Sequence, residues 1–448
     1  MIYILFFSLV AMAILAYVFE RKDILSPWVI TCIMYTISTF FAMVNINRWQ
    51  FTLSSGTVLV ILSGLVAFGL GTLLFSYLFH KESASIFRPK RLLASSEITY
   101  KEIDIPYWLI LAVCGMLILI FGYLFVKTYQ FSVQEGNTQG LAQMMRYARN
   151  GFIQPGKGLG RLANHMVLIN ECLQLIFLFF FMHNCILCRF RKKWLLYLCP
   201  VGIVVAAQIL GTGRTFMIML LSTILLFGFL MFNLRWGWNS KTTIRIIMLG
   251  CIALILFFAV FTLLGYLTGK SKVRGVWDTI SLYTGLSIPS LDVYLSKPRV
   301  PSDVLGKETL YGLRTILKTL GFDIASEVRH LEFSEFANGI SGNVYTNLRR
   351  YINDYGYAGM LVLQFIVGSA YSLFYNYLKS QKKVGFPLIL YSMLFFPLVM
   401  QGIDELLLSS MVNTTTIYKI IYFVFFYSVI KWLSKETASM PRRRITRR

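Results

Sequence analysis

Apolar and polar positions along this 448-residue chain segregate into blocks and do not alternate residue by residue. Apolar runs fall at 2–19, 28–44, 57–79, 106–126, 166–187, 194–210, 215–232, 245–266, 356–378, 386–402 and 415–433. A helix needs roughly 17–25 such residues to cross the hydrocarbon core of a bilayer. The period-two alternation of a membrane β-barrel is absent, and helices satisfy their own backbone groups in lipid. The pattern therefore predicts an all-α integral membrane protein with about eleven transmembrane helices. Two stretches interrupt it: 127–165, read as a medium outer loop, and 267–355, read as a large one with short helices.

Composition agrees. Hydrophobic residues make up 56% of the chain and charged residues 14%, against about a quarter charged in soluble domains. The net charge of +23 is unevenly placed. Connections 20–27, 80–105, 188–193, 233–244 and 379–385 hold 2, 5, 4, 2 and 3 Lys or Arg, whereas 45–56, 211–214 and 403–414 hold 1, 1 and 0. By the positive-inside rule the N-terminus is outside, the C-terminus is cytoplasmic, and both long stretches are outside. The basic tail 434–448 then reads as an anchor beside anionic lipid and not as a nucleic-acid-binding element. The first run lacks a preceding basic segment and is followed by Arg21 and Lys22, the pattern of a retained helix. No cysteine falls in an outer stretch, so no disulfide framework is expected.

Candidate chemistry concentrates in the outer stretches. Segment 127–165 is glycine-rich and carries Arg146, Arg149, Lys157, Arg161 and His165 against a lone Glu135, and it reads as a mobile, basic loop. Around 305–320, Leu310, Leu313, Leu317 and Leu320 recur at helical spacing, with Lys307, Arg314 and Lys318 on another face. That basic stripe faces headgroups or substrate, or is simply the solvated side of a packed helix. Segment 276–296 is apolar but broken at Ile288-Pro289-Ser290, which predicts two short helices. The turn Gly211-Thr-Gly-Arg-Thr215 presents Arg214 beside a helix N-terminus, a phosphate clamp or a snorkelling anchor.

The stretch Asn343-Val-Tyr-Thr-Asn-Leu-Arg-Arg-Tyr351, followed by Asp354-Tyr-Gly356 and Gly359, resembles the signature of Wzy-type oligosaccharide repeat-unit polymerases, which build O-antigen and capsular polysaccharide. The Gly-Thr-Gly-Arg-Thr turn and Tyr283-Thr-Gly…Leu291-Asp-Val-Tyr294 resemble further elements of that family, in the same order, over roughly 200–370. The resemblance implies a bundle similar to GT-C-type membrane glycosyltransferases at the outer face of the bacterial plasma membrane. Its substrate would be oligosaccharide on undecaprenyl diphosphate. A separate chain-length-regulating co-polymerase is an implied partner, alongside the lipid bilayer.

Such transfer needs cations for a diphosphate, a base for the attacking hydroxyl, and aromatic and amide groups for sugars. Arg146, Arg149, Arg214, Arg274, Arg314, Arg349 and Arg350 are the candidate cations, with Asn343, Tyr345 and Asn347 as further substrate-binding candidates. The base candidates are Asp354, Glu171, His165 and the Asp404–Glu405 pair. Asp354 is equally read as a helix cap or an i−4 partner of Arg350. Arginine stabilisation implies catalysis without metal or cofactor. An O-antigen ligase shares this plan and is the nearest alternative. A flippase for the lipid-linked repeat predicts charges inside the spans and short loops throughout, which this chain does not show.

Overall fold

The computed structural model describes residues 1–85, 100–152, 154, 157–211, 213, 215–238, 244–245, 248, 250, 252, 276–298, 304–324, 331–381 and 383–438. In chain order the helices are α1 (Ile2–Phe19), α2 (Pro27–Val44), the single turn α3 (Ile46–Trp49), α4 (Ser55–Ser85), α5 (Tyr107–Gln134), α6 (Leu141–Phe152), α7 (Arg161–Met182), α8 (Leu198–Leu210), α9 (Thr215–Trp236), α10 (Val276–Gly285), α11 (Ser287–Ser296), α12 (Tyr311–Thr319), α13 (Leu348–Ser380), α14 (Phe386–Met400) and α15 (Thr414–Leu433). Nine helical stretches among the described residues are long and apolar enough to cross a membrane, containing α1, α2, α4, α5, α7, α8, α9, α13 and α15. The chain is a multi-pass membrane protein. Apolar run 386–402 is realised as the 15-residue α14, which carries Pro397 inside it. Run 245–266 lies almost wholly outside the described residues.

Two compact units divide the chain. Unit 1 comprises Met1–Arg91, Arg274–Gln381 and Met393–Thr416; unit 2 comprises Leu92–Val273, Lys382–Ser392 and Ile417–Arg448. In unit 1 the tightest packing is α4 on α13, made possible by small residues. A Cβ on Gly71 would lie 2.2 Å from the carbonyl oxygen of Phe365, and one on Gly368 would lie 2.3 Å from that of Phe68. Helices in lipid gain little from apolar burial, so close backbone approach and polar tethers take over. Ser372 Oγ donates to the Thr72 carbonyl at 2.8 Å, and Asn376 Nδ2 to Ser76 Oγ at 3.2 Å. At one end Asp23 accepts from the Tyr375 hydroxyl at 3.0 Å and pairs with Lys379. At the other, Arg48 pairs with Asp278, and Asp292 accepts from the amide of Ser54 at 2.9 Å and from the Thr57 hydroxyl, holding the start of α4. Each tie joins connections that the charge pattern assigns to one side.

Unit 2 follows the same logic. Strand β1 (Lys101–Asp104) pairs antiparallel with β4 (Lys435–Ala438), Lys101 opposite Ala438. Arg191 reaches Glu102 at 3.2 Å, and Lys193 pairs with Asp104. Three connections of the basic set thus meet at one end, two of them as strands that the sequence did not predict. The other expectations shift in detail. Stretch 127–165 is largely helical, because α5 runs on to Gln134 and α6 follows. Gly151 serves that packing, since a Cβ there would meet the Phe131 ring at 2.6 Å. The 276–296 pair breaks at Leu286; Pro289 sits in the first turn of α11, where its missing N–H costs nothing. Helix α12 starts only at Tyr311, leaving Lys307 outside it.

Replacing Gly368 by valine is expected to cost stability by steric overlap, of the order of 1–3 kcal/mol. Thermal unfolding in detergent should show a lower midpoint for G368V than for a valine at the open Gly122 of unit 2, where nothing lies within 4 Å.

Candidate functional site

The Asn343–Gly356 run lies in unit 1, where β3 (Ile340–Gly342), the antiparallel partner of β2 (Ser334–Phe336), leads into α13. Its first polar residues are tethers. Tyr345 shares a 2.8 Å hydrogen bond with Ser334 Oγ and donates to the Glu332 carbonyl at 3.0 Å. Asn347 donates its amide to the Gln401 carbonyl at 2.9 Å and accepts from the Tyr35 hydroxyl at 2.5 Å. Asn343 stays half-buried.

Arg349 is 3% exposed and is held by two carboxylates. Nη1 pairs with Glu308, and Nη2 reaches both oxygens of Glu332 at 2.8 and 2.6 Å. The guanidinium also sits 4.6 Å from the Tyr294 ring centre and 4.9 Å from that of Tyr345, cation–π distances. Tyr294 comes from the Leu291–Tyr294 motif, so two separate elements of the family resemblance meet at this arginine. Glu308 and Glu332 had no signature in the sequence; each lies among the loop's scattered acids, 41 and 17 residues from its partner.

The base candidates of unit 1 separate by what they hold. Asp354 accepts from the amides of Glu308 at 3.0 Å and Thr309 at 2.7 Å. It therefore caps the 308–309 turn, a third role beside the two anticipated, and so positions Glu308. Two residues on, Gly356 has φ 68 and ψ −174, backbone that only glycine adopts readily, and this kinks α13 between its site segment and its long apolar part. Glu405 accepts from the amides of Leu408 at 2.8 Å and Ser409 at 2.7 Å and from the Tyr351 hydroxyl at 3.2 Å, which fixes the 407–411 turn. Asp404 is the least committed. It accepts its neighbour's amide at 2.8 Å, lies 3.5 Å from Arg350 Nε, and leaves its side chain 24% exposed. Arg350 in turn lines a cavity of about 240 Å³ walled by Tyr311, Thr315, Ser409, Ser410, Asn413 and Thr414.

The cluster is richer in acid than the arginine pair suggests. Burial pushes the carboxyls of Glu308, Asp404 and Glu405 above their ordinary range; Arg349 offsets this in part for Glu308, and Arg350 for Asp404. Burial also acts on Glu332, but the hydrogen bond and charge of Arg349 outweigh it and hold that carboxyl below the usual range.

Most of the remaining candidates lie in unit 2; Arg274 and Arg314 belong to unit 1. Glu171 on α7 pairs with Lys419 on α15. The His165 ring packs edge-on to Tyr418, 4.9 Å between centres, and its Nδ1 lies 2.9 Å from the Tyr422 hydroxyl. Glu171 lines a second cavity, of about 210 Å³, that reaches Gly211, Gly213 and Thr215. Arg146 is exposed and Arg149 half-buried on α6, and Arg314 is half-buried on α12. Arg214 and Arg274 lie outside the described residues. Among the described residues no three His, Cys, Asp or Glu side chains converge as metal ligands.

The two arginines are expected to fail differently. Arg349→Met leaves Glu308 and Glu332 facing each other unpaired, and breaking a buried pair costs about 3–5 kcal/mol. Arg349→Lys should not rescue it, because one ammonium cannot span two carboxylates. Arg350→Met should cost less than Arg349→Met, since the buried Arg350 has longer contacts, 3.5 Å both to Asp404 and to the Glu308 carbonyl. Thermal unfolding of both variants in detergent checks the ranking, and equal losses would overturn it. Comparison with known protein families, with curated proteins and with solved structures returns no match in any of the three, so the functional reading rests on the chain's own residues.

Proposed function

We propose that this chain is a membrane glycosyltransferase that polymerises undecaprenyl-diphosphate-linked oligosaccharide repeat units into O-antigen or capsular polysaccharide. The observation that carries this reading is the unit 1 cavity lined by Arg350, from the run that resembles the polymerase signature; the Asp404 carboxylate adjoins that arginine, 3.5 Å from its Nε, without being among the lining residues. Hydroxyls of Tyr311, Thr315, Ser409, Ser410 and Thr414 and the Asn413 amide complete a lining suited to a polyhydroxylated ring. The loops that build it are those the charge pattern puts outside, with the N-terminus outside and the C-terminus cytoplasmic.

In this reading the hydroxyl at the non-reducing end of a new lipid-linked repeat attacks the anomeric carbon of the growing chain. The new C–O bond forms as the bond from that carbon to the diphosphate oxygen breaks. The electron pair leaves on undecaprenyl diphosphate, and the hydroxyl proton passes to Asp404. Arg350 supplies positive charge for the departing diphosphate and holds Asp404 in place. Arg349, with Tyr294 and Tyr345, keeps α13 in register. The cavity admits the reacting ends, and the rest of the glycan and the lipid lie outside it.

In a deletion strain, wild type should restore a glycan ladder on gels. Asp404→Asn and Arg350→Ala, at matched membrane abundance, should leave mostly single repeats. Loss of a positioned base costs typically 10²–10⁴-fold, and of a charge-stabilising donor about 10²–10³-fold. Ladders from both variants would sink the assignment, and loss of all surface glycan on deletion would point to a flippase or ligase.

The pH profile gives a second test, run in membranes with excess chelator present. Asp404 must be ionised to accept a proton, and burial raises its pKa. Activity should therefore fall on acidification at a pH above that of an ordinary aspartate, about 3.9. Arg350→Gln removes the charge that pulls this pKa down, so its acid limb should move to higher pH; an unmoved limb counts against Asp404 as the base.

A further inference from the structure

We infer that unit 2 contains a second ligand site, the cavity among α5, α7, α8 and the start of α9, and that it takes a neutral hydroxyl-bearing group of about one sugar ring. The inference goes beyond the transferase reading and uses none of the residues that reading places at the reaction.

Two buried polar atoms mark the site. Thr128 on α5 is 0% exposed and Asn170 on α7 is 2% exposed. The Thr128 Oγ1 and the Asn170 Oδ1 have no hydrogen-bond partner among the described residues, and both residues line this one cavity. A buried polar atom without a partner costs about 1–3 kcal/mol, so two on one wall call for a ligand or water. Other polar groups nearby are already engaged. Gln208 on α8 exchanges hydrogen bonds with Gln174 at 3.2 and 3.0 Å.

Charge narrows the ligand class. Among the described lining residues Glu171 is the one charged group, and it pairs with Lys419. A phosphate offers only acceptors; it would leave the Asn170 oxygen unmatched and would face the Glu171 carboxylate. A cation would have to displace Lys419. Separate hydroxyls of one ring can donate to Asn170 and to Glu171, and a hydroxyl can exchange with Thr128 in either sense. The remaining walls include Leu124, Val167 and Phe216, apolar surface that suits the C–H face of a ring. A volume of about 210 Å³ has room for several waters or for one ring.

The test uses the full-length protein in lipid nanodiscs, without lipid-linked donor, and saturation-transfer NMR. The probes are methyl glycosides of glucose, galactose, mannose and N-acetylglucosamine, with pyrophosphate as the counter-probe. At least one glycoside should bind, roughly tenfold more weakly in Thr128→Val, which keeps the side-chain shape. Ala207→Leu, which fills the cavity, should abolish binding; Asn170→Leu is the independent second removal should T128V not yield folded protein. The inference is overturned if no glycoside binds, meaning the cavity holds only water. It is overturned equally if T128V, N170L and A207L all bind normally, or if only pyrophosphate binds. Because this assay reads binding and the glycan ladder reads transfer, either can fail without the other.

Discussion

Burial of the Arg349 guanidinium is the constraint on which the polar end of unit 1 depends. A charge taken out of water must be matched closely or the fold does not form around it. Here the match is assembled from three places: Glu308, Glu332 and the Tyr294 ring. Each partner is itself fixed. Asp354 holds the turn bearing Glu308, the Tyr345 hydroxyl holds the Glu332 backbone, and Tyr294 bonds Asn353 at 3.1 Å. One buried cation thus draws the end of α11, the 308–309 turn and Glu332 onto the start of α13. Its neighbour Arg350, on the same helical turn but with a looser partner, is what that order presents to the cavity.

The bilayer imposes the second constraint. Within lipid the helices have little reason to prefer one partner over another on hydrophobic grounds, and glycine-mediated approach of α4 and α13 supplies that preference. At the helix ends the preference becomes ionic: Asp23 with Lys379, Arg48 with Asp278, Glu102 with Arg191. Each of these joins two connections of the same sidedness class. The positive-inside pattern and the ion pairs come from different physics, one from insertion and the other from folding, and they agree on which connections share an end of each unit.

What was legible in the sequence follows from range. Spans are written in local hydropathy, so ten of the eleven apolar runs correspond to described helices, α14 being the short one. The break within 276–296 was also local. The site was half legible. Residues 343–356 were singled out, yet Arg349 looked like a free cation because its carboxylates are 41 and 17 residues away and no spacing rule connects them. Asp404 and Glu405 were visible as acids in a connection without cations. Only geometry separates them, since one carboxylate is used up by backbone amides and the other is not. The 127–165 glycines misled for the same reason. At Gly151 the residue type marks close packing against Phe131, a contact between helices and not a loop.

The surplus of carboxyl groups around two arginines also bears on how a transferase would work here. A cavity built only to bind diphosphate would be strongly cationic and would hold its product. In unit 1 the arginine charges are largely answered before any ligand arrives, and burial keeps the Asp404 and Glu405 carboxyls reluctant to ionise. In the proposed reaction a diphosphate donor entering beside Arg350 would compete with Asp404 for that cation. The competition would push the Asp404 pKa up further and make it a stronger base when a donor is in place. Proton transfer would neutralise Asp404 and leave the Arg350 charge to answer the negative charge developing on the leaving group. Departure of the lipid diphosphate and loss of the proton would then return the arginine to its carboxylate, as the pair that stands 3.5 Å apart.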